Sequence, residues 1–538
     1  MIGMAQDSPH TNTSGNCAAA QPAGQSIFFQ EWLASGKHNS VLSISAVCNN
    51  RCLFCTNELN PFPIETGMFR DLEDVKYQLS LMDAHDGPIY MSESVPGRIA
   101  EGEAFLHPRL FEILKLVRRK FLSNKLFFTT NGSMLDETFL KELSRFRPME
   151  INLSMHSTQP DHWARIFRRS ETAAAKTLDS LQLIKRYHMD LAGSIVTLPK
   201  ICGWADIEQT FATLVNHGAA HMFLWWPGYA IMTPPEVLGL LECPIGEYLA
   251  FADRMRVKHE AAIWLQPDMN LPSRVPVRQI LRHTQAGNLR NMGGPYRKVL
   301  WLTSEAAFPV LKRGIDSHAP SFPNVHYIGV TKNRTYGGNI ICSGLLMVED
   351  FIHAGKEALE KWPDVDLVLV PGTAFDRLCR DLRRTPALRI SEELKRPVWV
   401  VDAQTGGFQS LLDVSMVRSD ETGLKALIET MNVLNRSGEG EASREKVLDL
   451  IDAYPVETPW GKLDRADLRE RIGREKSDAP GRGTLLHRRF ERLDEAHALC
   501  IETWATPDQD TRPRWTFLVR RGKDWKIERL AQGGLTSD

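Results

Sequence analysis

The sequence predicts an α/β protein: repeated strand–helix units, then a second α/β unit, then a small β-rich C-terminal unit. Three observations predict it. Between Asn39 and Ala230, short β-rich runs alternate with amphipathic helical runs, and Lys298 to Asp402 alternates in the same way. Beyond Gly483 the pattern becomes one of alternating strands joined by turn residues. At 538 residues the chain is too long for one core and calls for several domains.

In order, Val41 to Val47 reads as a first strand that runs directly into a cysteine-rich loop. Asp71 to Met82 is helical, and Pro88 to Ser92 is a second strand. His107 to Phe121 is a helix, with Leu110, Phe111, Leu114 and Val117 at spacings of three and four. Lys125 to Thr130 is a third strand, closed by Asn131-Gly132, and Asp136 caps the helix that follows. Glu150 to Met155, Gly193 to Leu198 and Met222 to Trp226 complete six strands, separated by helices over Ala173 to Tyr187 and Ala205 to Asn216. Such units imply parallel strands with right-handed crossovers, either in an open or partial barrel or in a doubly wound sheet.

Composition excludes several classes. Hydrophobic residues are 43% and charged residues 24%, and 65 basic against 66 acidic residues leave a net charge of −1. That gives no basic footprint for nucleic acid or an anionic membrane. No apolar run approaches a bilayer span. The first residues are polar and lack the charged and apolar regions of a signal peptide, so residues 1–38 are expected to be a disordered or irregular tail. Nine cysteines, three of them clustered, fit a reducing cytoplasm better than a disulfide framework.

The clustered three carry the chemistry. Cys48, Cys52 and Cys55 stand in Cys48-Asn49-Asn50-Arg51-Cys52-Leu53-Phe54-Cys55. Thiolates are the soft ligands of iron–sulfur clusters and zinc. A zinc knuckle needs a fourth ligand, and the nearest candidate, His38, lies ten residues upstream beyond an apolar run. Three unligated core cysteines would not explain this density between Asn, Asn and Arg. A four-iron cluster on three cysteines keeps one iron open for a substrate or cofactor.

The Cys-x-x-x-Cys-x-aromatic-Cys pattern resembles the signature of the radical S-adenosylmethionine (radical SAM) superfamily. The resemblance implies a 4Fe-4S cluster on Cys48, Cys52 and Cys55. Its open iron would chelate S-adenosylmethionine, which is cleaved to a 5′-deoxyadenosyl radical that abstracts hydrogen. It selects the partial barrel, so the fold expected is a TIM-like (β/α)6 partial barrel with its chemistry at the C-terminal strand ends. Ala100-Glu101-Gly102-Glu103-Ala104 resembles the family's Gly-Gly-Glu-Pro segment, with Glu101 and Ala104 departing from it. Glu103 would then hold the amino group of S-adenosylmethionine. Alternatively the segment is an acidic loop before a helix N-terminus. Thr130-Asn131-Gly132 is similar to the family's Thr-Asn-Gly, and is also ordinary turn chemistry. Thr130, Asn131 and Ser154 are further candidate cofactor contacts, and Phe54 would help to place the adenine. His156 is a ligand-facing or a satisfied histidine, and Val196 an adenine contact or, more simply, barrel core. Trp225-Trp226-Pro227-Gly228-Tyr229 lines a substrate pocket or forms a seam with the next domain.

The expected organisation is a barrel over 39–232, a proline-rich connector over 233–296, a second α/β domain over 297–434, and a helical linker with a β-rich unit over 435–538. The second domain's strands are Val299 to Leu302, Val325 to Val330, Asn339 to Ser343, Leu367 to Val370 and Val398 to Val401. The stretch from Asn333 to Leu346 is similar to a segment of iron–sulfur oxidoreductases that carry a domain of unknown function after a radical SAM core. That family usually has a PDZ-like domain ahead of the cysteines, where the sequence here reads as a short polar tail. Gly337-Gly338 is read as a tight turn before a strand. Ser437 to Ser443 and Lys476 to Gly483 read as linkers, and Arg521-Gly522-Lys523-Asp524 as a hairpin turn.

These readings point to a cytoplasmic radical SAM enzyme, an oxidoreductase acting on a small-molecule or natural-product substrate with an external electron donor of the flavodoxin or ferredoxin type. The alternatives are a radical SAM enzyme that modifies a peptide or protein, with the β-rich unit docking it, and a non-enzymatic iron–sulfur scaffold or electron-transfer module. The six remaining cysteines contain no C-x-x-C pair, which argues against a second cluster.

Overall fold

The computed structural model describes residues 26–35, 40–82, 86–92, 97–268, 271–285, 298–376, 379–402 and 408–410, together with 445, 448–449, 451, 456–458, 461–468, 484–492, 497–505, 511–521 and 524–532. The start of the expected tail, both expected linkers and Cys17 lie outside the described residues.

The N-terminal sheet has six parallel strands in sequential order: β1 (Ile89–Tyr90), β2 (Leu126–Thr130), β3 (Met149–Ser154), β4 (Asp190–Val196), β5 (Ala219–Trp225) and β6 (Ala262–Gln266). Sequential order with helical crossovers is the topology of a partial (β/α)6 barrel. Strands β3 and β4 are buried almost along their length, as parallel strands covered on both faces must be. One apolar core runs from Phe29 to Leu265. Of the predicted face of the helix Leu110–Lys120, Leu110, Leu114 and Val117 are buried, joined by Ile113, while Phe111 is half-buried. Asp71 and Asp136 cap their helices, each carboxylate accepting a backbone N–H, from Glu73 and Phe139 respectively.

Three expectations are corrected here. Val41–Val47 is extended but is not a sheet strand. Leu42 N–H reaches Tyr90 O, and then the segment peels away, with Ala46 N–H donating to Met68 O and Arg70 N–H to Ile44 O. Its hydrogen bonds are taken by residues 67–70, so no ladder with β1 forms. The sixth strand is instead β6, which falls inside the stretch expected to be a connector. The prolines around it masked its short apolar run. Nor is the tail irregular throughout: Ile27–Ser35 is a helix that buries Phe28, Phe29 and Trp32. Glu31 on this helix meets Arg98 Nη1 at 2.7 Å, Arg98 meets Asp376 at 2.9 Å, and Arg384 meets Glu31 at 3.0 Å. This buried ion cluster ties the first helix and the loop after β1 to the second sheet's connections.

The second sheet runs β8-β7-β9-β10-β11, with β7 Lys298–Ser304, β8 Val325–Thr331, β9 Leu367–Pro371, β10 Val398–Val401 and β11 Phe408–Ser410. All its pairings are parallel except β10 with β11. Asn339–Ser343, expected as a strand, is not one. Gly337 and Gly338 turn with φ of 62° and 60°, and the chain then packs across the residues that follow β5. Asn339 donates to Pro227 O and accepts from Tyr229 N–H at 2.8 Å, while Ile231 N–H reaches Tyr336 O at 2.6 Å. A side chain on Gly338 would overlap the Tyr229 carbonyl oxygen, so this close approach requires glycine.

The third sheet runs β13-β12-β17-β16-β15-β14, from β12 Val456–Thr458, β13 Gly461–Leu463, β14 Thr484–Arg492, β15 His497–Ala505, β16 Thr511–Arg521 and β17 Asp524–Gln532. Its last four strands form an antiparallel meander, and Arg521 pairs with Asp524 where the hairpin turn was expected. No helix among the described residues is long and apolar enough to cross a membrane.

Candidate active site at the C-terminal strand ends

The cysteine loop leaves the extended segment at Val47 and folds back in tight turns. Cys55 N–H donates to Cys52 O, and Glu58 and Leu59 N–H both donate to Cys55 O. Leu53 is the buried anchor of the loop, and its N–H bonds Ile166 O at 3.0 Å. Cys48 is exposed, and Cys52 and Cys55 are half-buried. Desolvation by the surrounding loops, and then the neighbouring thiols and carboxylates, push all three thiols up, Cys48 to about 11 although its residue surface is exposed. A metal that takes their charge favours the thiolate form of such thiols. Three sulfur donors on one short loop therefore fit the soft, cationic group that the spacing suggests.

Beside the loop, the turn after β2 and the loop after β1 meet. Glu103 is fully enclosed, and its carboxylate accepts from Thr130 Oγ1 at 2.9 Å, Asn131 N–H at 2.8 Å and Phe105 N–H at 3.2 Å. Burial pushes this carboxyl up to about 7, while the hydrogen bonds from Asn131, Thr130 and Phe105 oppose the rise. Asn131 Nδ2 bonds Asn49 Oδ1 at 2.9 Å and lies 3.9 Å from Cys48 Sγ. Glu103, Thr130, Asn131 and Cys48 are thus one connected network.

Gly102 explains how the two loops come so close. A Cβ there would lie 2.7 Å from Ser45 O, Val47 N and Val47 O. Its absence lets Glu103 N–H bond Val47 O at 2.7 Å, next to Cys48. Gly132, with φ of 79°, serves the turn after β2.

Phe54 packs edge-on against His156 at 4.7 Å between centroids, and His156 stacks on Phe167 at 5.0 Å. His156 Nδ1 accepts the Val196 N–H, and burial lowers its pKa to about 3, so the ring is neutral and carries its proton on Nε2. It is a buried histidine that fixes Phe54, and Val196 is core that binds it. Ser154 ends β3 half-buried and in register with Ser194, and Trp225 Nε1 donates to Ser194 Oγ. Among the described residues, no hydrogen bond joins Ser154 to the Glu103 network.

Two residues with no signal in the sequence complete the loop's support. Arg169 donates to Asn49 O and Asn50 Oδ1, and Ser133 accepts from Asn49 Nδ2. Both lie far along the chain from the cysteines, and only the fold brings them there. The 620 Å³ cavity lined by Pro272, Arg278, Arg282 and His318 shares no residue with this site.

Residues 42–214 match the model of the Radical SAM superfamily. They form a radical SAM domain. Over 179 residues the chain is 28% identical to a GTP 3',8-cyclase of Microcystis aeruginosa (strain NIES-843 / IAM M-2473), which covers 32% of this chain and 52% of that protein. The chain thus spans about half the length of this curated relative. Among solved structures it is similar to Streptococcus suis SuiB bound to S-adenosylmethionine, at 12% identity and a TM-score of 0.30 over 43% of this chain and 47% of that one. It is also similar to anSMEcpe with bound AdoMet, at 15% identity and a TM-score of 0.31 over 46% and 67%. The cysteine loop, Glu103, Thr130, Asn131, Ser154 and Val196 all fall within the radical SAM domain.

Proposed function

We propose that the protein is a radical SAM enzyme, in which Cys48, Cys52 and Cys55 hold a 4Fe-4S cluster and Glu103, Thr130, Asn131, Phe54 and Ser154 surround S-adenosylmethionine. Bound there, the cluster and S-adenosylmethionine supply reductive cleavage of the sulfonium and abstraction of a hydrogen atom from substrate. The reading rests on one observation above all: the cysteine loop and the Glu103 carboxylate are joined through Asn131 at the C-terminal ends of the parallel strands. A buried carboxylate held by neutral donors is stabilised by a cation, and an amino group is such a cation. Phe54, fixed by His156, offers an aromatic face beside the thiols.

A small-molecule or natural-product substrate is favoured over a peptide because Tyr336 to Ile340 lie across the residues after β5. Tyr336 Oη also bonds Asn60, five residues beyond Cys55. Such a cover narrows the approach to the strand ends. Electrons come from an external donor of the flavodoxin or ferredoxin type.

The test is anaerobic reconstitution with iron and sulfide, then dithionite and S-adenosylmethionine. Formation of 5′-deoxyadenosine is expected. An intact cluster that forms none, and whose spectrum ignores S-adenosylmethionine, supports an electron-transfer role and refutes the enzyme.

A further inference from the structure

A second set of side chains with metal-ligand chemistry lies in the helical layer, outside the cysteine loop. His162 is on the helix Pro160–Phe167, and Cys202 and Asp206 are at the start of the helix Pro199–Asn216. Gly203, with φ of 71°, turns the chain between them, so Cys202 ends a first turn and Asp206 lies in the first turn of the helix that resumes after it. One donor atom from each of the three lies within 4.8 Å of the other two.

The cluster is enclosed. Cys202 and the Asp206 side chain are each 8% exposed, and the His162 side chain is 30% exposed. Asp206 Oδ2 receives Ser157 Oγ at 2.6 Å and faces His162 Nδ1 at 2.8 Å. Its other oxygen, Oδ1, is buried and has no hydrogen-bond partner. A bare carboxylate oxygen in the interior is costly, and buried polar groups rarely stay unpaired without a reason. Beside it, burial and then the Asp206 charge push the Cys202 thiol well above its ordinary range. A cation would satisfy the bare oxygen and favour the thiolate at once.

We propose that His162, Cys202 and Asp206 bind one divalent cation of the zinc class, at a site separate from the Cys48, Cys52 and Cys55 loop. The donor set decides the class: one imidazole, one thiolate and one carboxylate suit a borderline-soft tetrahedral ion. Calcium and magnesium take oxygen ligands and are disfavoured by the thiol. The exposed side of His162 leaves the fourth position to water. On binding, the Cys202 thiol proton passes to solvent, and His162 exchanges its contact with Asp206 for the ion. The ion would also fix Ser157, the residue after His156, and so steady the ring that packs on Phe54.

The full chain, reconstituted with iron and sulfide so that the loop cysteines are filled, is incubated with zinc and freed of excess by gel filtration. One zinc per chain is expected, and X-ray absorption at the zinc edge should show one sulfur with nitrogen and oxygen neighbours. Cys202→Ser and Asp206→Asn should each lower zinc affinity by about tenfold or more with iron content unchanged. No retained zinc, or zinc surrounded by several sulfurs, overturns the proposal and leaves a hydrogen-bonded tie between two helices. Should a variant lose its iron through misfolding, the absorption spectrum of the unaltered chain still decides.

Discussion

Alanine at Gly102 is the sharpest perturbation available. Its Cβ would stand 2.7 Å from three backbone atoms, and ordinary contact begins at 3.4 Å, so the segment Ser45–Val47 must retreat by about 0.7 Å. No flexible side chain can absorb that movement. The retreat stretches the Glu103 N–H to Val47 O hydrogen bond and carries Cys48 with it, while the pairing with residues 67–70 resists. Overpacking of this kind costs about 1–3 kcal/mol, and a weakened backbone hydrogen bond adds about 1 kcal/mol. For a domain of this size a total of about 3 kcal/mol lowers Tm by roughly 6–12 °C. Gly102→Ala should therefore melt earlier as the apo chain and retain less iron and sulfide after anaerobic reconstitution. The controls are Gly239→Ala and Gly246→Ala, helical positions where a Cβ meets nothing within 4 Å. They should be neutral or stabilising by about 0.5–1 kcal/mol. Unchanged melting and full iron in Gly102→Ala would show that the two loops do not need their close approach.

Other outcomes follow from the same contacts. Replacing any one of Cys48, Cys52 or Cys55 with alanine should abolish both cluster absorbance and 5′-deoxyadenosine, measured on reconstituted protein. Glu103→Gln turns an amide into a pocket of N–H and O–H donors, and S-adenosylmethionine should bind it about 10–100-fold more weakly, followed by its effect on the cluster spectrum. His156 has a folded pKa of about 3 against 6.5 when free, so its neutral form contributes stability above pH 6.5 that is lost as pH falls towards 3. The slope of unfolding free energy against pH in that window should be shallower in His156→Gln. Arg98→Ala takes one buried cation from both Glu31 and Asp376, and should cost about 3 kcal/mol in denaturant unfolding.

The parallel strand–helix order was legible because long amphipathic helices such as Leu110–Lys120 and buried strands such as β3 and β4 carry strong periodicity. Strand β6 was not legible, since a five-residue run stopped by Pro267 and carrying exposed Trp264 gives no clear alternation. Val41–Val47 misled in the opposite way. Its apolar run is real, but its hydrogen bonds go to residues 67–70, and no local pattern encodes a partner. In the site, spacing alone brought out the three cysteines. Glu103, Thr130 and Asn131 needed the resemblance, and the structure joins them. Arg169, Ser133 and the His156–Phe54 packing depend on segments distant in sequence, beyond the reach of local reasoning. The glycines at 337 and 338 were read as a tight turn before a strand; they do turn, but no strand follows, and their purpose, close passage over Tyr229, belongs to tertiary contact.

The position of β6 bears on how this polypeptide can be shortened. A fragment stopped at residue 232 would strip β5 of its neighbour from His221 to Trp225, baring a row of backbone donors and acceptors next to exposed Trp225. Such an unguarded border invites other chains to add themselves, and the fragment should precipitate or self-associate. Cutting after Gln266 keeps that border paired, which makes the proline-rich stretch an integral part of the sheet rather than spare tether.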